Sequence, residues 1–187
     1  MLLESILLIV LVLLAIGSIF SVKRDYGKLK KLSTRSVIAV WSLYSYHLVL
    51  LIIFNLLAIW LIPLYDLISL IIGGTFIILG IQFYIAGIVV FRSFKRMSGI
   101  ESNKLITNGI YNYSRNPQNV GWGLFILGIA VLGKSLISIL LVVFFWIFLH
   151  VYIVYIEEPY LEEIFGEEYK KYCDSTSRYF GLNLKPK

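Results

Sequence analysis

Two stretches of this 187-residue chain concentrate the side chains able to do chemistry. The first is Lys104-Leu-Ile-Thr-Asn-Gly-Ile-Tyr-Asn-Tyr-Ser-Arg-Asn-Pro-Gln-Asn-Val-Gly121. The second is Glu157-Glu-Pro-Tyr-Leu-Glu-Glu-Ile-Phe-Gly-Glu-Glu-Tyr-Lys-Lys-Tyr172, continuing to Arg178. In the first, Asn108-Gly109 is a turn signal. Asn116-Pro117 sets a capping residue before a proline at the first helical position. A helix N-terminus so formed offers free N–H groups to a carboxylate or phosphate, and Arg115 adds a cation beside it. The plainer use of the same residues is a capped membrane helix whose arginine touches lipid phosphate. In the second stretch, Glu157 and Glu158 end an apolar run, where a carboxylate needs a partner. Arg115 or a cationic ligand supplies one. Pro159 is expected to break or redirect the helix. Leu161, Ile164, Phe165, Tyr169 and Tyr172 then recur at helical spacing, which predicts an amphipathic tail helix interrupted near Gly166. Glu162, Glu163, Glu167 and Glu168 read as its solvated face.

The elements that must position these residues are membrane helices. The chain is 59% hydrophobic and only 15% charged, with a mean hydropathy of +0.84. A soluble domain is ~45–50% apolar and ~25% charged, so an ordinary soluble globule and a disordered chain are both excluded. One cysteine, Cys173, permits neither an internal disulfide nor a cysteine-based zinc site. A spanning helix needs ~20 mostly apolar residues. Five stretches qualify, at about 2–22, 36–62, 67–91, 118–133 and 136–156, the fourth being short. Only Lys134 and Ser135 separate the last two, which predicts an antiparallel helical hairpin. The expected fold is all-α: one polytopic membrane domain over 1–187. Residues 1–103 hold three spans and their loops; residues 104–187 hold the polar loop, the hairpin and the tail. The first span lacks a basic leader and is followed at once by Lys23 and Arg24, unlike a signal peptide.

Charge placement predicts orientation. Lys23, Arg24, Lys28, Lys30, Lys31 and Arg35 lie between spans one and two; Arg92, Lys95, Arg96, Lys104 and Arg115 lie between three and four. Lys170, Lys171, Arg178, Lys185 and Lys187 lie in the tail, and Lys134 alone falls on the other side. The positive-inside rule then puts both long loops and the C-terminus in the cytoplasm and the N-terminus outside. The excess of basic residues is a topology signal that also attracts anionic head groups; it does not indicate nucleic acid. The hairpin brings the two polar stretches together on the cytoplasmic side.

Within the spans, His47, Asn55, Gln82 and His150 are candidates for polar pockets, or for hydrogen bonds between helices. His150 and Glu157, seven apart, are expected to share a helix face. Two histidines without an organised carboxylate set argue against a metal site. Gly-x-Ser-x-Gly, His-Glu-x-x-His, P-loop and Gly-x-Gly-x-x-Gly patterns are absent. An aromatic content of 16% suits interfacial belts.

The paired blocks carry a resemblance. Thr107-Asn-Gly-Ile-Tyr111, Ser114-Arg-Asn-Pro117 and Gly121, then Glu157-Glu-Pro-Tyr-Leu161, Phe165-Gly-Glu-Glu-Tyr169, Tyr172 and Arg178, are similar to the isoprenylcysteine carboxyl methyltransferase family. That broad family of integral-membrane methyltransferases includes phospholipid N-methyltransferase-like members. The similarity covers about residues 104–180; the first three spans match in hydropathy alone. It implies an S-adenosylmethionine pocket between the polar loop, the hairpin and the tail. The implied cofactor contacts are Thr107, Gly109, Tyr111, Asn116, Pro117, Gly121, Glu158, Leu161, Phe165 and Tyr169, with Arg115 and Tyr172 beside them. The implied reacting centre is Arg115, Glu157 and Arg178, where the arginines can hold an anionic acceptor and a carboxylate can balance charge. The family pattern Arg-His-Pro-x-Tyr-x-Gly appears here as Arg115-Asn-Pro-Gln-Asn-Val-Gly121. Asn116 and Asn119 thus replace a histidine and a tyrosine, which weighs against a prenylcysteine substrate and against a general base at position 116. Methyl transfer from a sulfonium is an in-line displacement that needs alignment and exclusion of water rather than a covalent nucleophile. The expected acceptor is a membrane lipid or other lipophilic molecule, methylated on oxygen, nitrogen or sulfur. Two alternatives stand beside this: an NADPH-dependent sterol-type reductase of related architecture, and a non-enzymatic scaffold or transporter. The carboxylate-rich tail favours a cationic cofactor over a polyphosphate.

Overall fold

The computed structural model describes residues 2–101 and 104–181; Lys185 and Lys187 of the tail lie outside the described residues. The elements in order are α1 (Leu2–Leu29), α2 (Thr34–Leu56), α3 (Asp66–Val89), the single turn α4 (Phe94–Met97), a 3-10 turn (Gly109–Asn112), α5 (Pro117–Gly133), α6 (Leu136–Tyr152), a π turn (Ile153–Glu157), α7 (Glu158–Phe165) and α8 (Glu167–Ser175). Among the described residues the only β pairing is a lone bridge from Leu61 to Ser135.

Four helices are long and apolar enough to cross a membrane: Leu2–Leu29, Thr34–Leu56, Asp66–Val89 and the run Leu136–Phe165. The fourth expected span, α5, is apolar but has 17 residues, roughly 25 Å of helix. The structure thus holds four candidate spans and one shorter apolar helix where five spans were expected.

Four other expectations are corrected. The first helix does not stop near Val22. It continues to Leu29, turning Lys23, Arg24 and Lys28 outward and Asp25 and Tyr26 inward. Asp25, which sequence reading passed over, accepts from Ser33 N at 2.8 Å and from the Ser33 and Ser36 hydroxyls, clamping the end of α1 to the start of α2. The second helix ends at Leu56 rather than Ile62. Ala58 and Trp60 adopt positive φ, and the chain turns to bond the hairpin tip through Ile62 N to Lys134 O (2.7 Å) and Leu136 N to Trp60 O (2.9 Å). Pro159 does not break the last long helix. The π turn before it takes up the irregularity: Glu158 N donates to Ile153 O, five residues back. A π turn holds more residues per turn than an α-helix, so it shifts the phase between His150 and Glu157. His150 faces outward, whereas Glu157 lines the central cavity.

In a bilayer, burying apolar side chains does not by itself drive helices together; close packing and interhelical hydrogen bonds do. The tightest packing joins α3 to α5 through glycines spaced by seven, Gly73, Gly80 and Gly87 against Gly121 and Gly128. A Cβ on Gly121 would lie 2.3 Å from Tyr84 N and 2.7 Å from Gly80 O. The hydrogen bonds come from span polar groups. Buried His47 Nε2 lies 3.0 Å from Leu141 O, and Asn55 Nδ2 donates to Ile129 O at 2.9 Å. Both therefore tie helices together. Phe54, Leu50, Leu51, Ile126 and Leu149 fill the core between α2, α5 and α6.

Candidate active site

The site is built where the start of α5 meets α7 and the tail. Asn116 stands at the α5 cap position, but its side chain accepts from no helix N–H. Its Nδ2 instead donates to Arg178 O at 3.2 Å, and its own N–H goes to the buried Ser114 Oγ at 3.1 Å. Arg115 N donates to Ser177 O at 2.9 Å. These bonds lay the tail strap 176–181 across the helix ends. Tyr179 then meets His150 Nδ1 at 3.1 Å and sets its ring edge-on to Trp146. Phe180 packs edge-on against Phe83.

The strap delivers Arg178 to Glu158. Arg178 Nε and Nη2 each donate to one Glu158 oxygen at 2.8 Å, a fork geometry. Arg115 Nη1 lies 3.0 Å from Glu158 Oε1. One carboxylate therefore serves two guanidinium groups, leaving the cluster with one positive charge in excess. Arg115 is 10% exposed and Glu158 16%. Arg115 also contacts Cys173 Sγ, lies 6.0 Å from the Tyr169 ring centre, and keeps a buried Nε with no hydrogen-bond partner. The Glu158 hydrogen bonds raise Arg178 above the usual guanidinium range. Burial pushes the Tyr169, Tyr172 and Tyr111 hydroxyls up. It also raises the Cys173 thiol, against the opposing pull of Arg115. The aromatic groups around the cluster therefore stay neutral near pH 7.

Beside the cluster lies a cavity of about 450 Å³. Tyr111, Phe165, Tyr169 and Tyr172 line it towards the loop and tail; Tyr44, Tyr84 and Trp122 line it towards the spans. Its α2 wall includes Trp41 and Val49, both exposed side chains. Glu157 lines it too, and among the described residues its carboxylate has neither an ion-pair nor a hydrogen-bond partner.

Of the residues singled out from sequence, Arg115, Tyr111, Asn116, Glu157, Glu158, Leu161, Phe165, Tyr169 and Tyr172 line this cavity. Thr107, Gly109, Pro117, Gly121 and Arg178 do not. Gly109 supplies a positive φ at the entry to the 3-10 turn, Pro117 is fully buried at the first turn of α5, and Gly121 lies in the α3 crossing. Arg178 stands behind Glu158. Sequence reading missed Tyr44, Tyr84 and Trp122, which the cavity brings together with Asn119, a position noted from sequence only as a departure from the family pattern. Tyr44 OH donates to Asn119 Oδ1, and Asn119 Nδ2 to Asn116 Oδ1, each at 3.4 Å. The available signal for the three aromatic residues was the aromatic excess, most of which suits interfacial belts.

Residues 68–168 match the model of a family described as phospholipid methyltransferase. The match covers more than half of the chain. This chain belongs to the phospholipid methyltransferase family. Membership makes it a membrane methyltransferase with a lipid-type substrate, and its apolar helices fit that setting. No curated protein matches it. The phospholipid methyltransferase match runs from α3 into α8, so it includes Arg115, Glu157 and Glu158. It stops before Cys173 and Arg178 and leaves out α1 and α2. The Tyr44–Trp41 wall and the second arginine thus lie beyond the matched segment.

Proposed function

We propose that the chain is an S-adenosylmethionine-dependent methyltransferase that modifies a lipophilic acceptor at the membrane–cytosol interface. The observation that carries this reading is the continuity of one cavity. Its polar end holds the Arg115–Glu158–Arg178 cluster and the unpaired Glu157 carboxylate; its apolar wall continues to Trp41 and Val49 of α2. The donor set suits this cofactor. S-adenosylmethionine carries a carboxylate, an ammonium, a sulfonium and an adenosine, and the cavity lining offers cationic, anionic and aromatic partners together. Arg115, with its orphaned buried Nε, would hold a carboxylate. Glu157 and Glu158 would balance the cationic groups and the ribose hydroxyls. Tyr111, Phe165 and Tyr169 would face the sulfonium and the base. Asn116 would orient the tail, and the backbone around Thr107, Gly109, Pro117, Leu161 and Gly121 would set the shape of the pocket.

When bound, the cofactor supplies an already activated methyl group. The protein's work is then to bind, orient and exclude water. Arg178 holds Glu158 in place, and Arg115 keeps the cluster cationic where a carboxylate or phosphate must rest. Glu157 faces the cavity as a free proton acceptor or counter-ion for the attacking group. The acceptor enters beside α2 from the bilayer, with its polar end towards Glu157. This reading takes α5 as a fifth crossing, accommodated by local thinning of the bilayer, in one membrane domain. It puts the N-terminus outside and the cluster and tail on the cytoplasmic side.

The test is calorimetric titration of the purified protein in detergent with S-adenosylhomocysteine and, separately, NADPH. The expected result is saturable binding of S-adenosylhomocysteine alone, followed by transfer of labelled methyl from the donor into added lipid. Binding of NADPH alone would move the assignment to a reductase. Binding of neither, in a folded sample, would overturn it.

A further inference from the structure

The side of α3 turned away from α5 carries a pattern that lipid alone does not account for. Gly73, Gly80 and Gly87 face α5. At 100° per residue, the opposite side of the helix is Ile71, Thr75, Ile78, Gln82, Ile85 and Val89. These six residues are all exposed. Their spacing of four, three, four, three and four is the heptad seam by which one helix packs against another. The seam runs from Ile71 to Val89, roughly 27 Å. Thr75 satisfies its hydroxyl internally, donating to Ile71 O at 2.7 Å. Gln82 has no such outlet: among the described residues none bonds its amide. Seven residues, roughly 10 Å, separate it from the end of α3 at Val89. An amide facing hydrocarbon is costly unless it finds a hydrogen-bond partner.

We infer that a second copy of this chain packs along this seam, with Gln82 of each copy bonded to Gln82 of the other. The depth of the amide argues for that occupant. Two copies inserted in the same orientation are related by a two-fold axis along the membrane normal. Such an axis sets each residue of the seam opposite its own equivalent at the same depth. A carboxamide is both donor and acceptor, so it is complementary to itself. With Thr75 satisfied within its own helix, Gln82 is, among the described residues, the seam's one unsatisfied polar side chain, and such a residue fixes register, since any slip leaves both amides unpaired. Gly74 flanks the seam, and a Cβ there would meet nothing within 4 Å, which leaves a notch for a side chain of the partner copy. The contact lies on the far side of α3 from the cavity, so the inference does not depend on the proposed reaction.

The experiment uses the full chain reconstituted in lipid vesicles. Energy transfer between two labelled populations, at a series of protein-to-lipid ratios, gives the monomer–dimer equilibrium. Oxidative cross-linking of Ile78→Cys, with Leu13→Cys on the outer face of α1 as the comparison, locates the contact. The wild type should dimerise, and Ile78→Cys should cross-link well beyond both Leu13→Cys and the protein carrying Cys173 alone. Gln82→Leu should weaken dimerisation about tenfold, the size expected for losing two interhelical hydrogen bonds. Gln82 is exposed and, among the described residues, its side chain makes no hydrogen bond, so this variant is expected to fold as the wild type does. A wild type that stays monomeric at every ratio would overturn the inference. So would stronger cross-linking at Leu13, or dimerisation of Gln82→Leu as tight as the wild type.

Discussion

Replacing Glu158 by glutamine tests the charge logic of the site with little change of shape. In the native cluster the carboxylate accepts two 2.8 Å bonds from Arg178 and lies 3.0 Å from Arg115. Glutamine keeps one acceptor oxygen but turns the other position into a donor facing a guanidinium. At least one charge-assisted bond is lost, and two cations are left facing each other. Hydrogen bonds to charged groups are worth about 1.5–3 kcal/mol, and breaking a buried pair by removing one partner costs about 3–5 kcal/mol. Arg178 is 33% exposed, so water screens part of the loss, and about 2–3 kcal/mol is expected. If the cluster shapes the cofactor pocket, that energy appears in binding as roughly a hundredfold weaker affinity. The assay is titration with S-adenosylhomocysteine in detergent, alongside circular dichroism and elution volume to show that the helices and the fold remain. Glu163→Gln is the control. Glu163 is 56% exposed and, among the described residues, pairs only with Lys30, itself 44% exposed. Such pairs contribute about 0–1 kcal/mol, so binding should be unchanged. Wild-type affinity in Glu158→Gln, with the fold intact, would refute the assignment of this cluster to the cofactor. So would equal losses in Glu158→Gln and Glu163→Gln.

Arg115→Ala should abolish S-adenosylhomocysteine binding in the same titration while the protein still inserts, because it removes the one cationic side chain of the cluster that lines the cavity. Arg115→Lys should restore little, since a point charge does not reproduce the guanidinium fork. Gly121→Ala should lower the thermal unfolding midpoint in detergent by the equivalent of about 1–3 kcal/mol. The new Cβ meets backbone of α3, not a side chain that can swing aside. Gly17→Ala, where a Cβ meets nothing within 4 Å, should be neutral or gain about 0.5–1 kcal/mol from helix propensity. Cys173 should react with maleimide at pH 8 several-fold more slowly than a free thiol, because burial raises its pKa. The folded state favours the neutral thiol. Its contribution to stability is therefore full below the ordinary thiol value of about 8.5 and is lost as pH rises through the raised value. Alkylation at the rate of a free thiol would show that burial does not hold the Cys173 thiol in its neutral form.

What the sequence makes legible is whatever depends on local composition. The apolar runs reveal the helices, and Lys134-Ser135 the hairpin. Asn108-Gly109 marks the turn, and the dense polar stretches mark Arg115, Glu157 and Glu158. What it hides depends on partners. Asn116 looks like a helix cap, yet a tail 62 residues later takes its amide. Gly80 and Gly121 are ordinary membrane-helix glycines until their helices are set side by side. Asp25 falls in a basic loop whose serines arrive from the next helix. Tyr44 and Trp122 look like belt aromatics because nothing in their spacing says that α2 and α5 enclose a cavity. Helix ends are misjudged for the same reason: α2 stops at Leu56 because Asn55 and the backbone beyond it bond the hairpin, not because apolar residues run out.

The chemical division within Glu157-Glu158 falls where the π turn ends and α7 begins. On a regular helix, consecutive residues diverge by 100°, so two adjacent carboxylates cannot both face one neighbour. Here the divergence is used. Glu158 meets two arginines from different parts of the chain, whereas Glu157 faces a cavity walled by aromatic rings and, among the described residues, pairs with no cation. Pro159 has no N–H to donate to Tyr155 O, four residues back. A regular α-helix would leave that carbonyl short of a partner in any case. The π turn regroups the backbone bonds just before the proline, so that the irregularity falls beside the cavity and the helix resumes as α7. The result is a carboxyl paired with two arginines, Glu158, and a carboxyl without an ion-pair partner among the described residues, Glu157, which faces the cavity. The two carboxylates are not interchangeable: freeing Glu158 would remove the ion pairs that tie Arg178 and Arg115 together, leaving the tail to the bonds from Asn116 and the Arg115 backbone.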